Sequence, residues 1–262
     1  MKRDCRASSA LAVFKPVRVC TRRPQLSKRT ARIMGAWFLG TFVFSIPAFW
    51  FYDPLLNHPG YVTGHGQDRR VATGALLQIC LAVCGIATAV VIFPIVRRQS
   101  EELALAYVTA RLFECTFILV GIVAVLGIVT LQQDVAGAAE GTLAYTLAAI
   151  KDWTFLLGPG WVVGWGNGLI LGYLMYSSGL VPRKMTWLGL IGGPLIILTG
   201  TLVLFGVTND SGALKGIATI PEGLWELFLG IYCTVKGFRP SSPILRADTR
   251  GDPTITPAVS PA

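Results

Sequence analysis

Charge is scarce in this 262-residue sequence: only 14% of residues are Asp, Glu, Lys or Arg, whereas about a quarter are charged in soluble globular proteins. With 53% hydrophobic residues and a mean hydropathy of +0.58, that scarcity excludes an ordinary water-soluble domain. Histidine is scarcer still. The two present, His58 and His65, lie in a loop rich in Pro and Gly, where no cysteine and only scattered acids accompany them. Their position argues against a metal centre, leaves no histidine for a rhomboid-like serine dyad, and supplies neither an HExxH helix nor a haem axial pair inside the apolar runs. No Walker glycine loop and no Gly-x-Ser-x-Gly elbow occurs either, so no cofactor, metal or catalytic residue is expected.

Acidic residues are few as well, 14 against 23 basic ones, for a formal charge of +9. The basic residues sit in terminal tails and short loops without interleaved aromatics, which excludes a nucleic-acid platform and points to a determinant of membrane topology. The six cysteines (Cys5, Cys20, Cys80, Cys84, Cys115 and Cys233) form no disulfide framework or zinc-type spacing. Cys80 and Cys84 share a helix face and read as small packing residues. In the tail 1–32, Ala10 to Phe14 is too short for a signal-peptide core of about 7 to 15 residues, so no cleaved signal is expected.

What is abundant is long apolar runs. They predict an all-α polytopic membrane protein, a bundle of six transmembrane helices over about 33–52, 73–96, 103–131, 153–177, 185–207 and 214–236. Residues 1–32 and 239–262 read as disordered cytoplasmic tails, the first basic enough to rest on anionic lipid at about 1 kcal/mol per basic residue. Trp50, Phe51 and Tyr52 close the first span as an aromatic belt. Between the third and fourth spans, Gln132 to Asp152 reads as a break, with a short interfacial helix over 143–150. The fourth span carries Gly160, Gly164, Gly168 and Gly172 at steps of four, an α-helical ridge about 18 Å long against which a neighbour can pack closely. Gly189 and Gly193 form a second such pair in the fifth span, followed by Pro194, where a kink is expected. The sixth span is the least apolar, interrupted by Lys215, Pro221, Glu222 and Glu226.

Eighteen of the 23 basic residues fall on one side of this arrangement, four (Arg69, Arg70, Lys151 and Lys215) on the other, and Arg111 lies within the membrane. The positive-inside rule then puts both termini in the cytoplasm.

The candidate site is a set of charges inside the spans. Arg111 and Glu114 lie three positions apart in the 29-residue run from Leu103 to Leu131, and so share a helix face. Counting inward from the cytoplasmic surface puts Arg111 about 12 Å deep and Glu114 about 16 Å; along the antiparallel sixth helix Glu226 is about 15 Å deep and Glu222 about 21 Å. Arg111, Glu114, Glu222 and Glu226 are therefore expected to cluster between the third and sixth helices. Each charge costs about 2.5 to 3.5 kcal/mol at a helix centre, and such residues usually mark function. Either an interhelical ion pair that fixes register or a proton or ion relay fits the pattern, and Asn167 and Tyr173 could extend either network.

The segments KDWTFLLGPGWVVGWGNGLILGYLMYSSGLVPRKMTWLGLIGGPLI (Lys151 to Ile196) and LWELFLGIYCTVKGF (Leu224 to Phe238), with the RLFE of Arg111 to Glu114, resemble the bacterial integral membrane family catalogued as domain of unknown function 4386. The resemblance covers roughly Arg32 to Arg239; the long basic N-terminal tail is outside its pattern. It implies six transmembrane helices in a bacterial inner membrane and no established activity. The expected function is accordingly non-enzymatic, a structural or regulatory membrane partner or a small-solute or proton-coupled permease, with an intramembrane enzyme as the alternative.

Overall fold

The computed structural model describes residues 23–57, 68–134, 139–209 and 212–246. Both histidines, the remainder of the N-terminal tail and residues 247–262 lie outside them. The described residues are helical, without strands: α1 (Arg23–Asn57), α2 (Asp68–Val96), α3 (Glu101–Asp134), α4 (Ala139–Leu157), two π-helical segments, π1 (Gly158–Val162) and π2 (Gly164–Leu171), α5 (Gly172–Ser178), α6 (Arg183–Leu204), α7 (Ala213–Val235) and the single turn α8 (Pro243–Arg246).

Five stretches are long and apolar enough to cross a membrane: Ser27–Tyr52, Arg69–Val96, Glu101–Leu131, Thr142–Ser178 and Arg183–Leu204. Their outward faces are apolar too. Val43, Val83 and Val123 are each more than half exposed, as lipid contact demands and water would penalise. The fold is that of a multi-pass membrane protein. Threonines inside the spans keep their hydroxyls satisfied without leaving the helix: Thr109, Thr116 and Thr201 each donate to the carbonyl four residues earlier, at 2.7 to 2.9 Å.

Local chemistry sets the helix ends. The Ser100 hydroxyl accepts the Leu103 amide at 3.2 Å, and Glu101 and Glu102 place negative charge in the first turn of α3, where the helix dipole favours it. Gly179 closes α5 in the left-handed region (φ 63°), its amide bonded to the Met175 carbonyl at 3.1 Å.

Several boundaries differ from the sequence reading. α1 begins at Arg23, inside the stretch read as tail, because the helix carries its basic first turns beyond the apolar run. The expected break over 132–152 is largely helix: α3 reaches Asp134, and α4 starts at Ala139 and runs without interruption through π1 and π2 to Ser178. Alanine and leucine hold that helix where Gly, Ala and two acids had suggested a break in the membrane signal. The C-terminal tail is docked where it leaves α7: the Arg239 amide donates to the Leu180 carbonyl at 2.8 Å and the Ser242 hydroxyl to the Ser178 carbonyl at 2.7 Å.

One apolar core closes the end of the bundle at which α2 turns into α3 and α5 into α6. Phe38, Ile92, Tyr107, Leu174, Trp225 and Phe238 all belong to it, so α1, α2, α3, α5, α7 and the chain after α7 meet there. α7 packs on α1 and α6 through a face of Lys215, Ala218, Glu222, Trp225, Leu229 and Cys233, spaced three and four apart.

Candidate functional site: a charged cluster beside a cavity

α3 presents Arg111 and Glu114 inward from an otherwise apolar helix. Arg111 is only 3% exposed, and its Nη1 lies 2.8 Å from Glu114 Oε2 and 3.9 Å from Glu226 Oε1 on α7. Its Nε donates to the Gly85 carbonyl of α2 at 3.3 Å, and the Phe38 ring of α1 lies 6.0 Å from the guanidinium carbon. The guanidinium fits because α2 has no side chain there: a Cβ on Gly85 would stand 3.3 Å from Arg111 Nη2 and 2.9 Å from Cys115 Sγ.

Glu226 is also held from π2. Asn167, fully buried, donates from Nδ2 to Glu226 Oε1, and its backbone carbonyl accepts the Trp225 indole N–H at 3.0 Å. Trp225 in turn covers Gly189, where a Cβ would meet its ring at 2.7 Å. Tyr173 is exposed, apart from this network. Trp225 was not among the residues singled out from the sequence; its i−3 and i+4 relation to Glu222 and Leu229 on the buried face of α7 was the available signal.

Glu222 is different. It is 3% exposed, and neither carboxylate oxygen has a hydrogen-bond partner among the described residues. It fits into a gap between glycines: a Cβ on Gly168 would stand 2.9 Å from Glu222 Oε2, and one on Gly192 3.0 Å. The structure thus brings Arg111, Glu114 and Glu226 into contact and leaves Glu222, one turn along α7, in their company but unpaired.

The glycine ridge takes a form that spacing did not anticipate. Gly158 to Gly172 holds six glycines and Pro159, so side-chain preference and one amide are missing where an α-register would be kept, and the turns widen to π geometry. An α-helical rise therefore does not describe this ridge. Gly164 and Gly168 face Gly193 of α6, where a Cβ on Gly164 would reach the Gly193 carbonyl at 2.6 Å and one on Gly168 would meet the Gly193 backbone. Gly172 faces Leu190, and a Cβ on Gly160 would stand 3.0 Å from the ammonium of Lys215 on α7.

Two lysines assigned by sequence to the loops opposite the termini are buried in the bundle. Lys151, 4% exposed, donates to Gln78 Oε1 at 3.3 Å and stands 5.6 and 5.5 Å from the Tyr52 and Phe155 ring centroids. Lys215 is buried against π1. For Lys151 the missed signal was its helical spacing from Leu147 and Phe155, which makes it part of a helix rather than a boundary.

A cavity of about 300 Å³ adjoins the cluster, with Arg111, Glu114, Glu222 and Glu226 all in its wall. α1 and α7 touch at Gly35 and Thr234 and at Leu39 and Gly230; the cavity lies farther along both, beside Thr41 to Phe49 on α1 and Thr219 to Glu226 on α7. Gln78 of α2 and Phe155 of α4 also line it, so the cavity extends from the acid cluster to the residues beside Lys151.

No curated protein and no solved structure matches this chain. The family model described as Domain of unknown function (DUF4386) matches residues 33–237, a range that takes in α2 to α7, all of the buried charges and the cavity. The chain belongs to the DUF4386 family.

Proposed function

We propose that this protein is a non-enzymatic, small-solute or proton-coupled permease of the bacterial inner membrane, with six spans and both termini in the cytoplasm. α7 serves as the sixth span: its polar residues face α1, α6 and π1, and lipid meets its other side through Leu214, Ile217, Ile220 and Ile231, each about half exposed or more. The charge bias supports the orientation. With Lys151 and Lys215 buried in the bundle, only Arg69 and Arg70 remain on the side opposite the termini.

The observation that carries the permease reading is the cavity of about 300 Å³ with Glu222 in its wall, a buried carboxyl group without a hydrogen-bond partner among the described residues. A cluster serving only to fix helix register would be satisfied by Arg111, Glu114 and Glu226, and would have no use for a further carboxylate beside an open space. The apolar core at the end carrying the termini supports a site closed from that side.

The test is flux. Proteoliposomes holding an internal pH dye, challenged with a panel of small amines and alcohols, should show proton or solute movement above protein-free vesicles. That movement should fall in Glu222→Gln and in Gly223→Leu, which narrows the cavity. Vesicles no more permeable than protein-free ones across the panel would overturn the permease reading in favour of a structural role.

A further inference from the structure

The wall of the cavity says which chemistry would be held there. Three carboxylates, Glu114, Glu222 and Glu226, share it with one guanidinium, that of Arg111. Arg111 is already engaged by Glu114 at 2.8 Å and Glu226 at 3.9 Å, and Glu226 also accepts from Asn167. Glu222 is the residue left over, buried and without a partner among the described residues, one helical turn from Glu226. An anion entering this space would meet three carboxyl groups and one already engaged guanidinium in the wall, whereas a cation would meet in Glu222 an acceptor that no other described residue engages. Much of the remaining wall is apolar and aromatic, with Phe42, Phe49, Phe155, Leu81 and Ile118, and among the described residues no three acids are placed to hold a metal ion together. Aromatic and aliphatic walls suit the hydrocarbon body of an organic ammonium, whose charged end then meets the acids. At about 300 Å³ the cavity is at the small end of ligand pockets, which run to about 1,000 Å³.

We propose that the cavity binds a small organic monocation, an ammonium group on a hydrocarbon or single-ring body, with the ammonium against Glu222 and the body among Phe42, Phe49 and Phe155. The proposal rests on the cavity being the working site, as in the permease reading, but not on transport. Glu222 supplies the acceptor oxygens that select the ligand. The Thr41 and Ser45 hydroxyl oxygens, also in the wall, can accept the ammonium protons that Glu222 does not take.

Equilibrium binding to the full chain in lipid nanodiscs tests this with three probes of similar shape: phenethylammonium, neutral phenylethanol and anionic phenylpropionate. Phenethylammonium should bind at least about tenfold more tightly than phenylethanol, and phenylpropionate should not compete. Glu222→Gln should weaken the amine by about tenfold and leave the alcohol unchanged, and Glu222→Asp should restore part of the loss. Should Glu222→Gln fail to fold, Gly223→Leu reads the same site: nothing lies within 4 Å of a Cβ there, so the helix accepts it while the cavity narrows, and all binding should fall. Equal affinity for amine and alcohol, or amine binding untouched by both substitutions, would overturn the proposal. Amine binding without flux in vesicles counts against the permease reading alone. Flux of alcohols with no preference for the amine counts against the cation site alone.

Discussion

Gly85 on α2 and Arg111 on α3 occupy one space between them: a methyl group on the glycine would stand 3.3 Å from the guanidinium, which donates to that same glycine's carbonyl at 3.3 Å. The relation recurs. Gly121 makes room for Lys151, Gly160 for Lys215, and Gly168 with Gly192 for Glu222. A buried charge needs its long side chain laid flat against a neighbouring helix, and a glycine supplies the groove.

Gly168→Ala should therefore destabilise the protein by about 1 to 3 kcal/mol, because its methyl would fall on the Gly193 backbone and on Glu222. Gly223→Ala, on α7 with nothing within 4 Å, should be neutral or stabilising by about 0.5 to 1 kcal/mol. Thermal unfolding of both variants in one detergent compares them, and equal melting temperatures would disprove the contrast.

Arg111→Ala should cost about 3 to 5 kcal/mol, since it strands acids that the arginine compensates in a dry interior. In double-mutant cycles the coupling of Arg111 to Glu114, at 2.8 Å, should exceed its coupling to Glu226, at 3.9 Å. The reverse order would show that the interhelical pair, not the pair within α3, anchors the guanidinium.

Lys151 and Gln78 offer a different asymmetry. Gln78→Leu should weaken the fold by about 1 to 3 kcal/mol by taking away the acceptor of a buried ammonium, whereas Lys151→Met should be tolerated or stabilising. Chemical unfolding of the two single variants checks this, and a Lys151→Met loss as large as that of Gln78→Leu would speak against it.

Ser242→Ala should cost about 0.5 to 1.5 kcal/mol locally by removing the bond to the Ser178 carbonyl, loosening the chain after Phe238 from the turn between α5 and α6. Limited proteolysis should then cut faster between residues 239 and 246 while the bundle stays intact. An unchanged cleavage rate would mean that the Arg239 amide and α8 hold the segment without it.

Much of this architecture was legible in the residues. Arg111 and Glu114 stood out because charges are rare in apolar runs, and counting residues along two antiparallel helices set Glu226 level with Arg111, the acid it approaches at 3.9 Å. Features that depend on partners far along the chain were not legible. Lys151 beside Asp152 reads as the edge of a loop until Gln78, 73 residues away, comes to accept from it. The π geometry of Gly158 to Leu171 was equally hidden, because a hydrogen-bond register one residue wider leaves the composition and the spacing of four unchanged. The vacancy beside Glu222 arises from how α1 and α7 sit on one another, which hydropathy does not encode.

The pairing of each charge with a glycine also gives descent within the family a direction. A relative that replaces Arg111 with a short side chain is thereby released from keeping a glycine at the position of Gly85, and the groove can fill later without conflict. The opposite order is disfavoured, because an alanine arriving first crowds the guanidinium still in place and the Cys115 sulfur beside it. Among relatives, then, glycine without its charge should be common and charge without its glycine rare, so that each pair is inherited as a single character with one favoured order of loss.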